Sequence, residues 1–172
     1  APEAPARLRG MNAELVTTGA ELLSGRSVNT HAQRLAQALE PLGIALARDT
    51  TVPDDRAAIA DAVRSALTRV ELAFVSGGLG PTCDDVTREA VADVVGRPIV
   101  RDAAALAALR VRYERMGRTL TDSRARQADV IEGATVLSNS VGAAPGQIVV
   151  SEGRKLVILP GPPREFEAIV SE

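Results

Sequence analysis

Short apolar runs alternate along this chain with stretches in which apolar residues recur every three or four positions. Asn12 to Thr18 predicts a first strand, and Val28 to Leu39 predicts a helix with Leu35, Ala36 and Leu39 on one face and Gly43 beyond its end. Ile44 to Val52 predicts a second strand. Pro53-Asp54-Asp55 opens a helix running to about Thr68, with Ile59, Val63 and Leu67 at helical spacing and Asp54 expected as its cap. Glu71 to Ser76 predicts a strand buried on both faces, followed by a helix from Val86 to Val95 with Asp85 near its start. Arg97-Pro98-Ile99 breaks the pattern, and Asp102 to Met116 predicts another helix, rich in Ala and Arg. The polar stretch Thr119 to Asp129 leads to short strands at Ala134 to Leu137 and Gly146 to Val150. A turn at Glu152-Gly153 joins the latter to Lys155 to Leu159, an antiparallel hairpin within an otherwise parallel pattern. Strands alternating with helices imply an α/β fold whose sheet is covered on both faces.

Composition narrows the class. The chain has 172 residues, enough for one domain with a sizeable core, 45% hydrophobic and only 2% aromatic. Its net charge of −2, with acids and arginines interspersed, lacks the concentrated basic face of a nucleic-acid binder. No apolar run is long enough to span a bilayer, so neither nucleic acid nor membrane is an expected partner. Cys83 is the one cysteine, which excludes an intrachain disulfide and a cysteine-based zinc site and fits a reducing, cytoplasmic setting. Residues 1–10, a Pro/Ala/Arg lead-in without an apolar core, are expected to be a flexible tail; residues 11–172 are expected to form the domain.

The chemistry concentrates where loops leave the carboxyl ends of the strands, the expected site in such a sheet. Gly77-Gly78-Leu79-Gly80-Pro81-Thr82-Cys83-Asp84-Asp85-Val86-Thr87 places glycines, hydroxyls and two adjacent carboxylates between a buried strand and a helix. Glycines let backbone N–H groups approach an anion, and a helix N-terminus adds partial positive charge, so phosphate can be held with little help from cationic side chains. Asp84 and Asp85 could simply complement the helix dipole, each contributing about 0.3–1 kcal/mol; beside a phosphate loop the favoured role is holding a divalent ion, Mg, Mn or Co. No Gly-Lys-Ser/Thr follows, so this is no Walker loop. Two further loops stand at equivalent positions: Thr18-Gly19-Ala20-Glu21-Leu22-Leu23-Ser24-Gly25 leading to Asn29-Thr30, and Pro160-Gly161-Pro162-Pro163-Arg164-Glu165. Glu21 is either a helix-edge charge or a base reaching into the crevice. Arg88 and Arg164 adjoin these loops and are candidates for phosphate contact, whereas His31 is expected in a packing or solvent-facing role, and Arg110, Arg112, Arg115 and Arg118 on a solvated face.

Taken together, Thr18 to Gly25 with Asn29-Thr30, GGLGPTCDDVT, Ala144-Pro145-Gly146 and Leu159 to Glu165 resemble the amino-terminal domain of the competence/damage-inducible CinA family, which is similar to the molybdopterin-binding domains of the MogA/MoaB and gephyrin type. The resemblance covers Met11 to Glu172. It implies a three-layer α/β/α fold with a mainly parallel sheet and one antiparallel strand, in a homo-oligomer, dimer or trimer. For CinA proteins it implies a metal-dependent pyrophosphatase converting ADP-ribose to AMP and ribose 5-phosphate; the alternative is a pterin-binding or adenylyl-transfer module that does not hydrolyse. The small-molecule partner is accordingly a nucleotide or a pterin phosphate. Full-length members often add a domain that deamidates nicotinamide mononucleotide, for which this chain has no room, so it is expected to be a fragment or a stand-alone member. The aspartates matching Asp85 and Asp54 are implicated in catalysis or binding in the relatives. The resulting site is Asp85, Asp84, Glu21 and Asp54 for catalysis, with the ion on Asp84 and Asp85, and Gly19, Gly25, Asn29, Gly77, Gly78, Gly80, Thr82, Thr87, Gly161, Pro162 and Glu165 around the substrate. Ala20 departs from the family, standing where a small hydroxyl residue is common.

Overall fold

A computed structural model describes residues 10–171; the expected tail lies, apart from Gly10, outside the described residues. Eight strands and seven α-helices follow in order: β1 (Met11–Thr18), α1 (Ala20–Leu23), α2 (His31–Leu39), β2 (Ile44–Val52), α3 (Arg56–Arg69), β3 (Leu72–Ser76), α4 (Thr87–Val95), β4 (Ile99–Arg101), α5 (Ala103–Arg115), α6 (Asp122–Ala125), β5 (Asp129–Ile131), β6 (Thr135–Leu137), β7 (Gly146–Ser151), β8 (Arg154–Leu159) and α7 (Pro163–Val170). The main sheet has six strands in the order β2-β1-β3-β8-β7-β6. β2, β1, β3 and β8 run parallel, and β7 is antiparallel to both neighbours, so it is the one reversed strand.

Strand periodicity divides the apolar side chains between two cores. Ala13 and Leu15 of β1, Phe74 of β3 and Leu159 of β8 pack with Leu35 and Leu39 of α2 and Phe166 and Ile169 of α7. The alternate positions, Val16, Ala73, Val75, Leu156 and Ile158, pack with Ile59 and Val63 of α3 and Val91 of α4 on the other face. This is the three-layer arrangement expected. Among the described residues no helix is long and apolar enough to cross a membrane.

Several boundaries differ from the sequence reading, each for a local reason. The helix expected from Val28 begins at His31, because the Asn29 side chain accepts a hydrogen bond from the His31 N–H at 3.0 Å and closes a turn there, leaving Val28 86% exposed. Asp54 is not the cap of α3. Asp55 is, accepting from Ala58 N–H at 2.8 Å, while Asp54 accepts from Ala20 N–H at the start of α1. The break at Pro98-Ile99 is in fact strand β4, which pairs antiparallel with β5 in a separate two-stranded sheet. The polar stretch before β5 folds as α6 and a 3₁₀ turn, Arg126–Ala128.

One charge sits deep in β1. Glu14 is 4% exposed and accepts two hydrogen bonds from the Arg69 guanidinium, at 2.7 and 2.6 Å. That bidentate pairing holds the Glu14 carboxyl below its ordinary value, against the opposing effect of its burial. The pair's contribution is therefore present above the unfolded carboxyl value and lost as pH falls through the lower folded one. Urea denaturation between pH 7 and pH 3 is expected to show a smaller acid-induced fall in midpoint for Glu14→Gln than for the unsubstituted protein; parallel pH curves would refute the assignment.

Candidate functional site

The topology makes the site. From the central strand β1 the chain moves out to β2 on one side and returns to β3 on the other, so the loops after β1 and β3 diverge and open a crevice at the carboxyl ends of the strands. The loop after β8 joins them. A cavity of about 540 Å³ lies there, lined by all three marked loops. The loops touch. A Cβ placed on Gly77, whose φ is 105°, would lie 2.5 Å from Thr18 Oγ1, so that position requires glycine, and one on Gly161 would lie 3.2 Å from the Gly77 Cα, a tight contact between the loops.

The glycine loop is shaped from behind. Arg88, 1% exposed on α4, donates to the carbonyls of Leu79 at 2.7 Å and Gly80 at 3.1 Å, and Thr87 N–H donates to the Gly78 carbonyl at 3.3 Å. In a planar trans peptide the N–H points opposite to the C=O. The Leu79 and Gly80 N–H groups are thus turned away from α4, and within the described residues neither has a hydrogen-bond partner. Both residues border the crevice, which leaves these two N–H groups available to an anion there. Arg88 is accordingly not a phosphate contact, as its exposed alternative would have been; it is a buried cation whose burial pulls its pKa down and which orients the loop. Arg164 is exposed and stands outside the lining.

The carboxylates gather on the same crevice. Glu21, Asp54, Asp84, Asp85 and Glu165 line it, and among the described residues no Lys or Arg does. Asp85 Oδ2 accepts from Thr82 N–H at 2.8 Å and Thr82 Oγ1 at 2.6 Å, closing a tight turn and leaving Oδ1 without a hydrogen-bond partner among the described residues. Asp84 is exposed beside Cys83, whose Sγ lies 3.5 Å from its carboxylate. Glu21 folds back over Gly19, where a Cβ would come within 2.6 Å of its carboxylate. Glu165 accepts from Asn139 Nδ2 at 2.6 Å, which fastens α7 to the segment before β7.

Of the residues expected around a substrate, Gly19, Asn29, Gly77, Gly78, Gly80, Gly161, Pro162 and Glu165 border the cavity, and Gly25, Thr82 and Thr87 do not. Gly25 is an exposed turn glycine with a φ of 74°. Thr82 is occupied with Asp85, and Thr87 is fully buried under Gly78. Asn29 borders the cavity, yet its side chain is committed to Thr17, Asp49 and the His31 N–H, so it anchors its loop. Residues to which the sequence assigned no site role also line the crevice: Thr18 and Leu22 of the first marked loop, His31, expected only to pack or face solvent, Val28, and Gln127 from the 3₁₀ turn. Thr18 could have been found as the last residue of a strand that ends in hydroxyls; Gln127 lay in a stretch without periodicity.

Among the described residues no three His, Cys, Asp or Glu side chains cluster closely enough to hold a metal by themselves. Five carboxylates and, among the described residues, no Lys or Arg border the crevice, so a phosphate ester there would lack a cationic partner, which a divalent ion could supply.

A strand-to-helix glycine loop at the switch point of a mainly parallel sheet places the chain in a known class. The family described as "Probable molybdopterin binding domain" matches residues 14–172. The fold is shared with the molybdopterin biosynthesis enzyme MoaB of Thermus thermophilus, at 18% identity and a TM-score of 0.63 over 94% of this chain and 87% of that one.

Within that class the chain belongs to the CinA family. It is 39% identical to a CinA protein of Thermoplasma acidophilum, whose crystal structure superposes with a TM-score of 0.85 over 93% of this chain and 94% of that one. It is also 46% identical over 156 residues to a putative competence-damage inducible protein of Geobacillus kaustophilus, covering 91% of this chain and 38% of that protein. A CinA-like protein of Acidobacterium capsulatum is 43% identical over 166 residues, 94% of this chain and 40% of its own length. The chain thus spans about two fifths of the curated relatives it matches.

Proposed function

We propose that this domain is a metal-dependent pyrophosphatase that hydrolyses ADP-ribose to AMP and ribose 5-phosphate. The observation that carries the reading is the coexistence, on one crevice, of free N–H donors at Leu79 and Gly80 with carboxylates on the opposite and adjoining loops. The donors suit phosphate oxygens, and the carboxylates suit a cation and a water. In this reading the phosphates lie against Gly77 to Gly80 and the Gly161 loop. Asp84 and the free Oδ1 of Asp85 would hold a divalent ion, which supplies charge neutralisation across the two phosphates. Glu21 or Asp54 orients a water, whose oxygen bonds to one phosphorus as the bridging oxygen leaves with the other phosphate; the carboxylate takes the proton the water loses. The apolar Leu22 and Val28 offer a surface for a planar base.

Release of AMP from ADP-ribose by the purified chain with added Mg, Mn or Co, followed by chromatography, tests this directly. Metal-dependent AMP formation is the expected result, abolished by chelation; intact ADP-ribose under all three metals would end the reading. A second reading, binding or adenylylation of a pterin phosphate without hydrolysis, is favoured by the molybdopterin family match and would show as AMP transfer to a pterin acceptor instead.

A further inference from the structure

His31 is the single histidine of the chain, and it is neither solvent-facing nor merely core. It is 7% exposed at the start of α2, borders the crevice, and stacks on Phe166 of α7 with ring centroids 4.4 Å apart and planes 2° from parallel. Its Nδ1 lies 3.0 Å from Ser76 Oγ, itself fully buried at the end of β3, and Ser76 Oγ donates to the Pro160 carbonyl at 3.2 Å. Burial pushes the ring's pKa down, an effect that the nearby Gly161 backbone partly opposes.

Proton counting constrains this network. Ser76 has one hydroxyl proton. Because it goes to the Pro160 carbonyl, the ring must donate to Ser76 from Nδ1; were it given to Nδ1 instead, Pro160 would lose its donor. The Nδ1–H tautomer of a neutral ring therefore ties the Pro160-Gly161 wall to α2 and β3. That wall presses on the diglycine turn, since Gly161 can carry no Cβ without meeting Gly77 Cα at 3.2 Å.

We propose that His31, with Ser76, is a positioning residue that sets the gap between the Pro160-Gly161 loop and the Gly77-Gly78 turn, and so the grip on the phosphates. The assignment rests on the pyrophosphatase reading for its substrate but not for its geometry. His31→Phe keeps the stack on Phe166 and removes both ring nitrogens. It is expected to raise KM for ADP-ribose about tenfold, with kcat within about twofold and little change in Tm. His31→Asn, whose amide nitrogen can replace Nδ1, is expected to restore much of the affinity, whereas His31→Gln, which reaches the Nε2 position instead, is not. Equal losses of KM, kcat and Tm in all three variants would mean a structural role only, and overturn the proposal.

Because the chain has one imidazole, its ring signals in a 1H–15N spectrum are assigned without ambiguity. A slowly exchanging ring N–H is expected, altered in Ser76→Ala and shifted by added AMP. A ring N–H that exchanges freely, or is blind to AMP, overturns the proposal. Absence of ADP-ribose turnover by the unsubstituted protein would instead sink the pyrophosphatase reading, leaving the spectrum to decide this one.

Discussion

Gly78→Ala is expected to destabilise the domain by about 2–4 kcal/mol and, under the proposed pyrophosphatase activity, to cut turnover about 100-fold. Two costs add at this position. The backbone φ is 62°, in the left-handed region, which costs a residue with a Cβ about 1 kcal/mol. The added methyl would also run into Thr87 Oγ1, and Thr87 is fully buried on α4 with no room to withdraw, so overpacking adds about 1–3 kcal/mol. Relief must come from the loop. Moving Gly78 displaces the Leu79 and Gly80 N–H groups, and misplacement of such donors by about 1 Å is enough for a loss near 100-fold. Gly117→Ala is the control: its φ is 61°, but nothing lies within 4 Å of the added Cβ, so about 1 kcal/mol and no loss of turnover are expected. Thr87→Ala should rescue much of the Gly78→Ala defect. Its hydroxyl is buried without a hydrogen-bond partner, so its removal alone costs little, and the double variant should be more stable than the sum of the singles. Urea midpoints for the four proteins check this, and strict additivity would show that the clash is not the cause.

The same pair explains why part of this molecule was legible in its sequence. Gly77 and Gly78 follow Leu72–Ser76, an uninterrupted apolar run, and both the buried strand and the turn after it are local properties of those residues. The mainly parallel, doubly covered sheet follows from the alternation of strand and helix, though its strand order does not, and the reversed β7 follows from the turn at Glu152-Gly153. Long-range choices were not legible. Asp54 and Asp55 are equal as caps by composition; which one caps α3 is decided by Ala20 N–H, which arrives from 34 residues away and takes Asp54. Arg88 stands beside the glycine loop in sequence, but helical phase turns it inward under Leu79 and Gly80 rather than out to a ligand. β4 and β5 are each three residues long and stabilise one another only as a pair, so neither carries a periodic signal alone. His31 lacked any sequence partner because Ser76 and Phe166, the groups that define it, come from two other elements.

Under the proposed pyrophosphatase activity, Asp85→Asn is expected to lower turnover of ADP-ribose about 10²–10³-fold with a stability change under about 1 kcal/mol. The separation of the two effects follows from how the carboxylate is used. Oδ2 accepts from Thr82 N–H and Thr82 Oγ1, and an asparagine side-chain oxygen can accept the same two bonds, so the turn that carries Thr82 to Asp85 survives. What asparagine cannot supply is the negative charge, and charge is what an ion bridging two phosphates requires of its protein ligand. Asp85→Ala removes both functions and is expected to cost stability as well, since the Thr82 N–H then loses its acceptor. Raising the metal concentration distinguishes a ligand from a base. If Asp85 holds the ion, part of the Asp85→Asn loss is recovered at high Mg or Mn, as a raised apparent metal Kd at nearly restored kcat. If it acted only on the water, no metal concentration would help, and Glu21 and Asp54, which border the same crevice from the other side, would be left as the ligands to test next.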